Sequence, residues 1–174
     1  VANGIKVRVQ LDDDVRQTLN AFSRLQRETD DTNVNSALRQ ATKQITQELA
    51  TEIKRAAYVS PYSPAQAAKV ATTVKVLSDR IPKIGIGKGR ARIFSGGGKA
   101  GDVVFGSEFG AIPNGIGNAG MRNGGRRFPP KSPRSGRGNS GYWIFPTIKA
   151  NEKYIRDQWF KMTDVLLKTF SKDI

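Results

Sequence analysis

The sequence predicts an α+β fold: a small, mostly antiparallel sheet packed by a long helix in the N-terminal half and by a second helix at the C-terminus. Three observations carry this expectation. Val34, Leu38, Ala41, Ile45, Leu49 and Ile53 recur at helical spacing, with Ala37 and Ala56 alongside. Ile148, Ile155, Trp159, Met162, Leu166 and Phe170 do the same along a terminal helix that starts near Pro146. Short runs outside these stretches are apolar or alternate apolar and polar residues, as strands do. The 174 residues are expected to form a single domain, long enough to bury a core without disulfides or metal.

Each element has its own local reason. Ile5, Val7 and Val9 alternate with Lys6, Arg8 and Gln10, which predicts a strand and not a signal peptide. Asp12, Asp13 and Asp14 then open a helix, where carboxylates satisfy free amides and suit the dipole. Val15, Leu19, Phe22 and Leu25 line that helix. Three consecutive helical aspartates do not converge on one point, so capping is the better reading than a metal cluster. A polar break at 28–33 precedes the long helix. Ser63, Pro64 and Gln66 have the spacing of a capping box for a short helix through about Val70. Strands are predicted at 72–77 and 81–86 around a Ser78-Asp79-Arg80 turn, with Pro82 favouring a sheet edge. A second strand pair is predicted at 91–94 and 102–105, joined by the glycine-rich loop 95–101.

Charge and glycine divide the chain unevenly. Lys and Arg number 29 against 15 Asp and Glu, a net charge of +14. Residues 1–79 carry +2, residues 80–140 carry +10 and residues 141–174 carry +2. Seventeen of the eighteen glycines lie between Gly85 and Gly141. The stretch 111–141 holds eight glycines and four prolines with almost no apolar content, and is expected to be an extended basic loop or arm within the domain. An excess of positive charge on this scale points to nucleic acid, an acidic surface or an acidic partner protein.

Catalytic chemistry finds few candidates. The chain has no cysteine and no histidine, which removes disulfides, thiolate nucleophiles, the usual general base and the commonest metal ligands. There is no Ser-x-x-Lys pattern to activate a serine. Three G-x-G-x-x-G matches occur, at Gly96/Gly98/Gly101, Gly115/Gly117/Gly120 and Gly136/Gly138/Gly141. A dinucleotide site needs that pattern between a strand and a helix; the first is expected to precede a strand, and the others lie in a loop. No Walker motif is present, because Gly98-Lys99 is followed by Ala100. The expectation is a protein with no catalytic residues, cofactor or metal. No apolar run reaches the length of a membrane span, and the implied compartment is the cytosol or a particle assembled there.

The basic stretch carries the candidate contacts. Arg122, Arg126, Arg127, Lys131, Arg134 and Arg137 surround Phe128, ahead of Tyr142 and Trp143. Phosphate neutralisation with aromatic stacking would hold single-stranded nucleic acid. The same residues would equally lay an arm over an acidic neighbouring subunit. Irregular spacing and the lack of a known RNA-binding motif favour the protein-facing role, with a basic RNA- or DNA-binding module as the alternative function.

Val103-Val104-Phe105-Gly106-Ser107-Glu108-Phe109-Gly110, followed by a Gly/Pro/Arg loop and then Tyr142-Trp143-Ile144-Phe145-Pro146-Thr147, resembles the tail-completion (neck, head–tail joining) proteins of long-tailed bacteriophages. Glu108, Phe109 and Gly110 match the family's first signature, and Pro146 with Thr147 matches its second. The order of elements agrees from about residue 11 to residue 170. The loop 111–141 is longer and more basic than the family pattern, so its role is not carried over. The resemblance implies a structural virion protein assembled in the host cytoplasm. It would form a ring, commonly a hexamer, in the neck, joining head-closure components to the tail tube. Its partners would be further copies of itself, adjacent neck and tail proteins and genomic DNA in or near the lumen, with no membrane.

Overall fold

A computed structural model of the chain describes residues 4–8, 12–29, 33–61, 64–89, 92–95, 97–109 and 141–171. The fold is α+β: helices predominate, and three short strands form one small antiparallel sheet. In chain order the elements are β1 (Ile5–Arg8), α1 (Asp13–Thr29), α2 (Asn33–Tyr58), α3 (Pro64–Ala71), β2 (Lys75–Val76), β3 (Lys83–Ile86), α4 (Ala100–Phe109) and α5 (Ile144–Phe170). The sheet order is β1-β3-β2, so β3 is its central strand.

The chain divides into two compact units. Unit 1 comprises Val1–Lys6, Ala50–Lys75 and Gly85–Ala150; unit 2 comprises Val7–Leu49, Val76–Ile84 and Asn151–Ile174.

In unit 2 the aspartate run does what its position dictates. The Asp12 carboxylate accepts from the Val15 amide at 3.0 Å, capping α1. Asp12 and Asp14 both pair with Arg156 of α5, at 2.5 and 3.3 Å. Phe22, Leu25, Val34 and Leu38 form a buried cluster against Leu19, Met162, Leu166, Leu167 and Phe170. Val15, Ile81 and Trp159 form a second, with Ile45 and Phe160 alongside. Each of the fully buried large side chains contributes about 1.5–3 kcal/mol through burial alone. The middle of the α2 stripe is polar: Thr42 and Thr46 are buried, whereas Ala41 and Ile45 are half-buried. Thr42 has a task there, since the Trp159 indole donates to its Oγ1 at 3.2 Å and to the Arg80 carbonyl at 3.1 Å.

In unit 1, α3 packs against α4, and Ile53, Ala57, Ala67, Val70, Val103 and Val104 are buried. Gly87, just beyond β3, has φ +74, a backbone conformation that favours glycine. Its amide donates to Thr73 Oγ1 at 2.8 Å, and a Cβ there would stand 3.3 Å from the Gly101 Cα.

Three sequence expectations are corrected. The stretch 102–105 is not a strand but lies inside helix α4. Its buried residues, Ala100, Gly101, Val103, Val104, Ser107 and Glu108, recur as one helical face. Hydropathy conceals that face, because Ser107 and Glu108 are buried while Phe105 is half exposed. Residues 91–94 therefore lack the expected partner strand; Arg92 instead forms an isolated antiparallel bridge with Lys99. The strand expected at 72–77 shrinks to Lys75–Val76. The Thr72 and Thr73 hydroxyls donate back to the Lys69 and Val70 carbonyls, at 2.7 and 2.6 Å, and prolong the turn after α3. Pro82 does not mark an edge, since it directly precedes the central strand β3, a position where no ladder amide is lost.

Candidate functional site

Two segments 35 residues apart meet in unit 1, and the side chain of Glu108 accepts three of the hydrogen bonds between them. The first turn of any helix leaves its amides without intrahelical acceptors. At the start of α5 those amides belong to Trp143, Ile144 and Phe145, and the next residue, Pro146, has none to offer. Glu108 takes all three. Its Oε2 accepts from Trp143 at 3.1 Å and Ile144 at 2.8 Å, and its Oε1 accepts from Phe145 at 2.8 Å. The carboxylate and the proline are thus two halves of one solution to the same orphan-amide problem. The negative group also sits where the helix dipole favours it.

The surroundings fix this arrangement. Glu108 is completely buried. Its own carbonyl accepts from the Tyr142 amide at 2.9 Å. The Trp143 indole donates to Ser107 Oγ at 3.2 Å, and the Thr147 hydroxyl donates to the Trp143 carbonyl at 2.6 Å. Phe109 lies with its ring centroid 5.3 Å from that of Phe145 and 6.4 Å from that of Phe105. Burial pushes the Glu108 carboxyl above its ordinary value; the amides of Ile144, Phe145 and Trp143 pull it down without cancelling that effect.

Of the residues named from sequence, Glu108, Phe109, Pro146 and Thr147 are brought together here. Gly110, Arg122, Arg126, Arg127, Phe128, Lys131, Arg134 and Arg137 lie outside the described residues. Sequence reasoning missed Ser107, the capping role of Glu108, and Gly141, where a Cβ would fall on the Glu108 carboxylate. The spacing hides these contacts, but a proline early in a helix and an isolated carboxylate upstream were both visible. The first G-x-G-x-x-G match does precede a helix, α4, contrary to expectation. The start of that helix is served from within, by Asp102 Oδ2 accepting from the Lys99 amide at 3.2 Å.

Among the described residues no three His, Cys, Asp or Glu side chains come together as metal ligands, and no helix is long and apolar enough to cross a membrane. The site can clamp a helix and hold two chain segments together; its carboxylate is spent on backbone amides. No known protein family, curated protein or solved structure matches the chain.

Proposed function

We propose that this protein is a structural component of the neck of a long-tailed bacteriophage. In this reading it forms a ring that joins the head-closure components to the tail tube. One observation supports the reading above others: the two segments that carry the resemblance are parts of a single unit. Glu108 of the first caps the helix that Pro146 and Thr147 of the second begin. Phe109 and Gly141, the described residues that flank the basic stretch in sequence, both lie beside that cap. In this reading the six basic residues of that stretch, Arg122, Arg126, Arg127, Lys131, Arg134 and Arg137, would serve contacts to a neighbouring subunit of the ring.

The reading is tested in an infection in which the gene is replaced by a version lacking 111–140. Filled heads and finished tails should accumulate unjoined, and the full-length protein should co-purify with intact particles. Normal yields of joined, infectious particles from the deletion, or absence of the protein from particles, would overturn it.

A further inference from the structure

The positive charge of the molecule belongs almost wholly to unit 1. By sequence, unit 1 holds sixteen Lys and Arg against three Asp and Glu, whereas unit 2 holds thirteen against twelve. Setting aside 110–140, unit 1 still has ten basic residues against the same three acidic ones. Those three are committed: Glu108 to the α5 amides, Asp102 to the Lys99 amide, and Glu52 to Arg55 at 4.0 Å.

Two of these cations, Arg92 and Lys99, lie on a tight hairpin of unit 1. The Ile93 and Phe94 amides donate to the Gly98 carbonyl at 3.1 and 3.3 Å, and the Gly97 amide donates to the Phe94 carbonyl at 2.8 Å. Arg92 and Lys99 stand directly opposite one another in the antiparallel bridge. Directly opposed residues project to the same face, and a like-charged pair in that position destabilises the free protein. Lys69 of α3 adds a third cation, its Nζ 5.7 Å from the centroid of the Phe94 ring. Among the described residues, none of these three side chains has an acidic partner.

We propose that Lys69, Arg92 and Lys99 form a docking surface for the phosphate backbone of nucleic acid. A phosphate between opposed cations removes their repulsion, and a run of phosphates matches a cluster of cations backed by only committed carboxylates. The recognition proposed is of charge, not sequence: cations set against phosphates position a duplex without reading it. This assignment does not depend on the neck reading, since it concerns a binding property of the isolated chain that the ring does not require.

The test is a fluorescence-anisotropy titration of the full chain with short duplex DNA, between about 50 and about 200 mM salt. The triple variant Lys69→Gln, Arg92→Gln, Lys99→Gln is compared with Arg39→Gln, Lys43→Gln, Lys161→Gln, which removes the same charge from exposed positions of unit 2. Each lost phosphate contact should make the dependence of log K on log salt shallower by about 0.9, so the first variant should lose close to three such steps and the second none. Equal effects of the two variants would reduce the surface to general electrostatics and overturn the proposal. So would an unchanged slope in the first variant, or loss of poly-glutamate binding with DNA binding intact, which would assign the surface to an acidic protein.

Discussion

Glu108 and Gly141 compete for the same space: a Cβ added at residue 141 would fall on the Glu108 carboxylate. Glycine is needed at 141 because a carboxylate must pass there to reach the amides of Trp143, Ile144 and Phe145. The start of α5 therefore depends on a side chain from another helix, α4. The contact also joins the two segments that flank 110–140 in sequence.

Removing the carboxylate should be costly. Glu108→Ala leaves three amides in a buried position without an acceptor, at about 1–3 kcal/mol for each. Urea unfolding should show a fall in midpoint far beyond that of Glu52→Ala, whose partner is the exposed Arg55. Equal shifts for the two variants would mean that the cap is not a stabilising feature.

Gly141→Ala should destabilise by about 1–3 kcal/mol through overpacking. In a Glu108→Ala background the three atoms nearest to that methyl are gone, so its effect should shrink. The double-mutant cycle should return a coupling of about 0.5–3 kcal/mol. Additive effects would show that the two positions do not share a site.

The sequence made α1, α2, α3 and α5 legible, and α4 and the short strands much less so. The Asp12–Val15 cap and the stripe Val34, Leu38, Leu49 and Ile53 follow from local rules, since hydropathy and burial coincide there. They diverge in α4, where Ser107 and Glu108 are buried because they serve Trp143 and the α5 amides, contacts invisible in a linear chain. Thr72 and Thr73 have strand propensity but spend their hydroxyls on carbonyls of the preceding turn. Thr42 reads as polar within the α2 stripe, yet it is buried because Trp159 needs an acceptor. Of the site, Glu108, Phe109, Pro146 and Thr147 were legible, but not the hydrogen bonds that join the two segments.

The α2 stripe divides into positions of different worth. Leu38 and Ile53 are fully buried, and truncation of either to alanine should cost about 2–5 kcal/mol. Ile45 is only half-buried, so Ile45→Ala should cost less than either. Thr42→Val retains the shape and removes an acceptor for the Trp159 indole, which keeps the Arg80 carbonyl; a loss of about 1 kcal/mol is expected. Thermal unfolding of the four variants should rank them in that order, and a loss for Ile45→Ala matching that for Leu38→Ala would contradict the burial pattern.

Acid should separate two carboxylates of opposite behaviour. Glu108 has its carboxyl raised above the ordinary value of 4.5 by burial, so the folded state holds a proton that the unfolded chain has released. Its contribution to stability is therefore fully present below about pH 4.5 and declines as pH rises through the raised folded value. Asp79 behaves in the other sense. Burial pushes its carboxyl up, but the Lys83 ammonium at 2.7 Å and the Arg80 amide at 2.8 Å outweigh that and hold it below 3.8. Its contribution is present above 3.8 and is lost as pH falls through the lowered folded value. Unfolding midpoints of the parent, Glu108→Gln and Asp79→Asn across the acid range should show this. The parent's margin over Glu108→Gln should shrink from about pH 4.5 upward, whereas its margin over Asp79→Asn should grow as pH rises through the acid range and level off above about pH 3.8. A margin over Glu108→Gln that instead widens toward neutral pH would show that the three amides outweigh burial, and that Glu108 sits in the fold as a stabilised carboxylate.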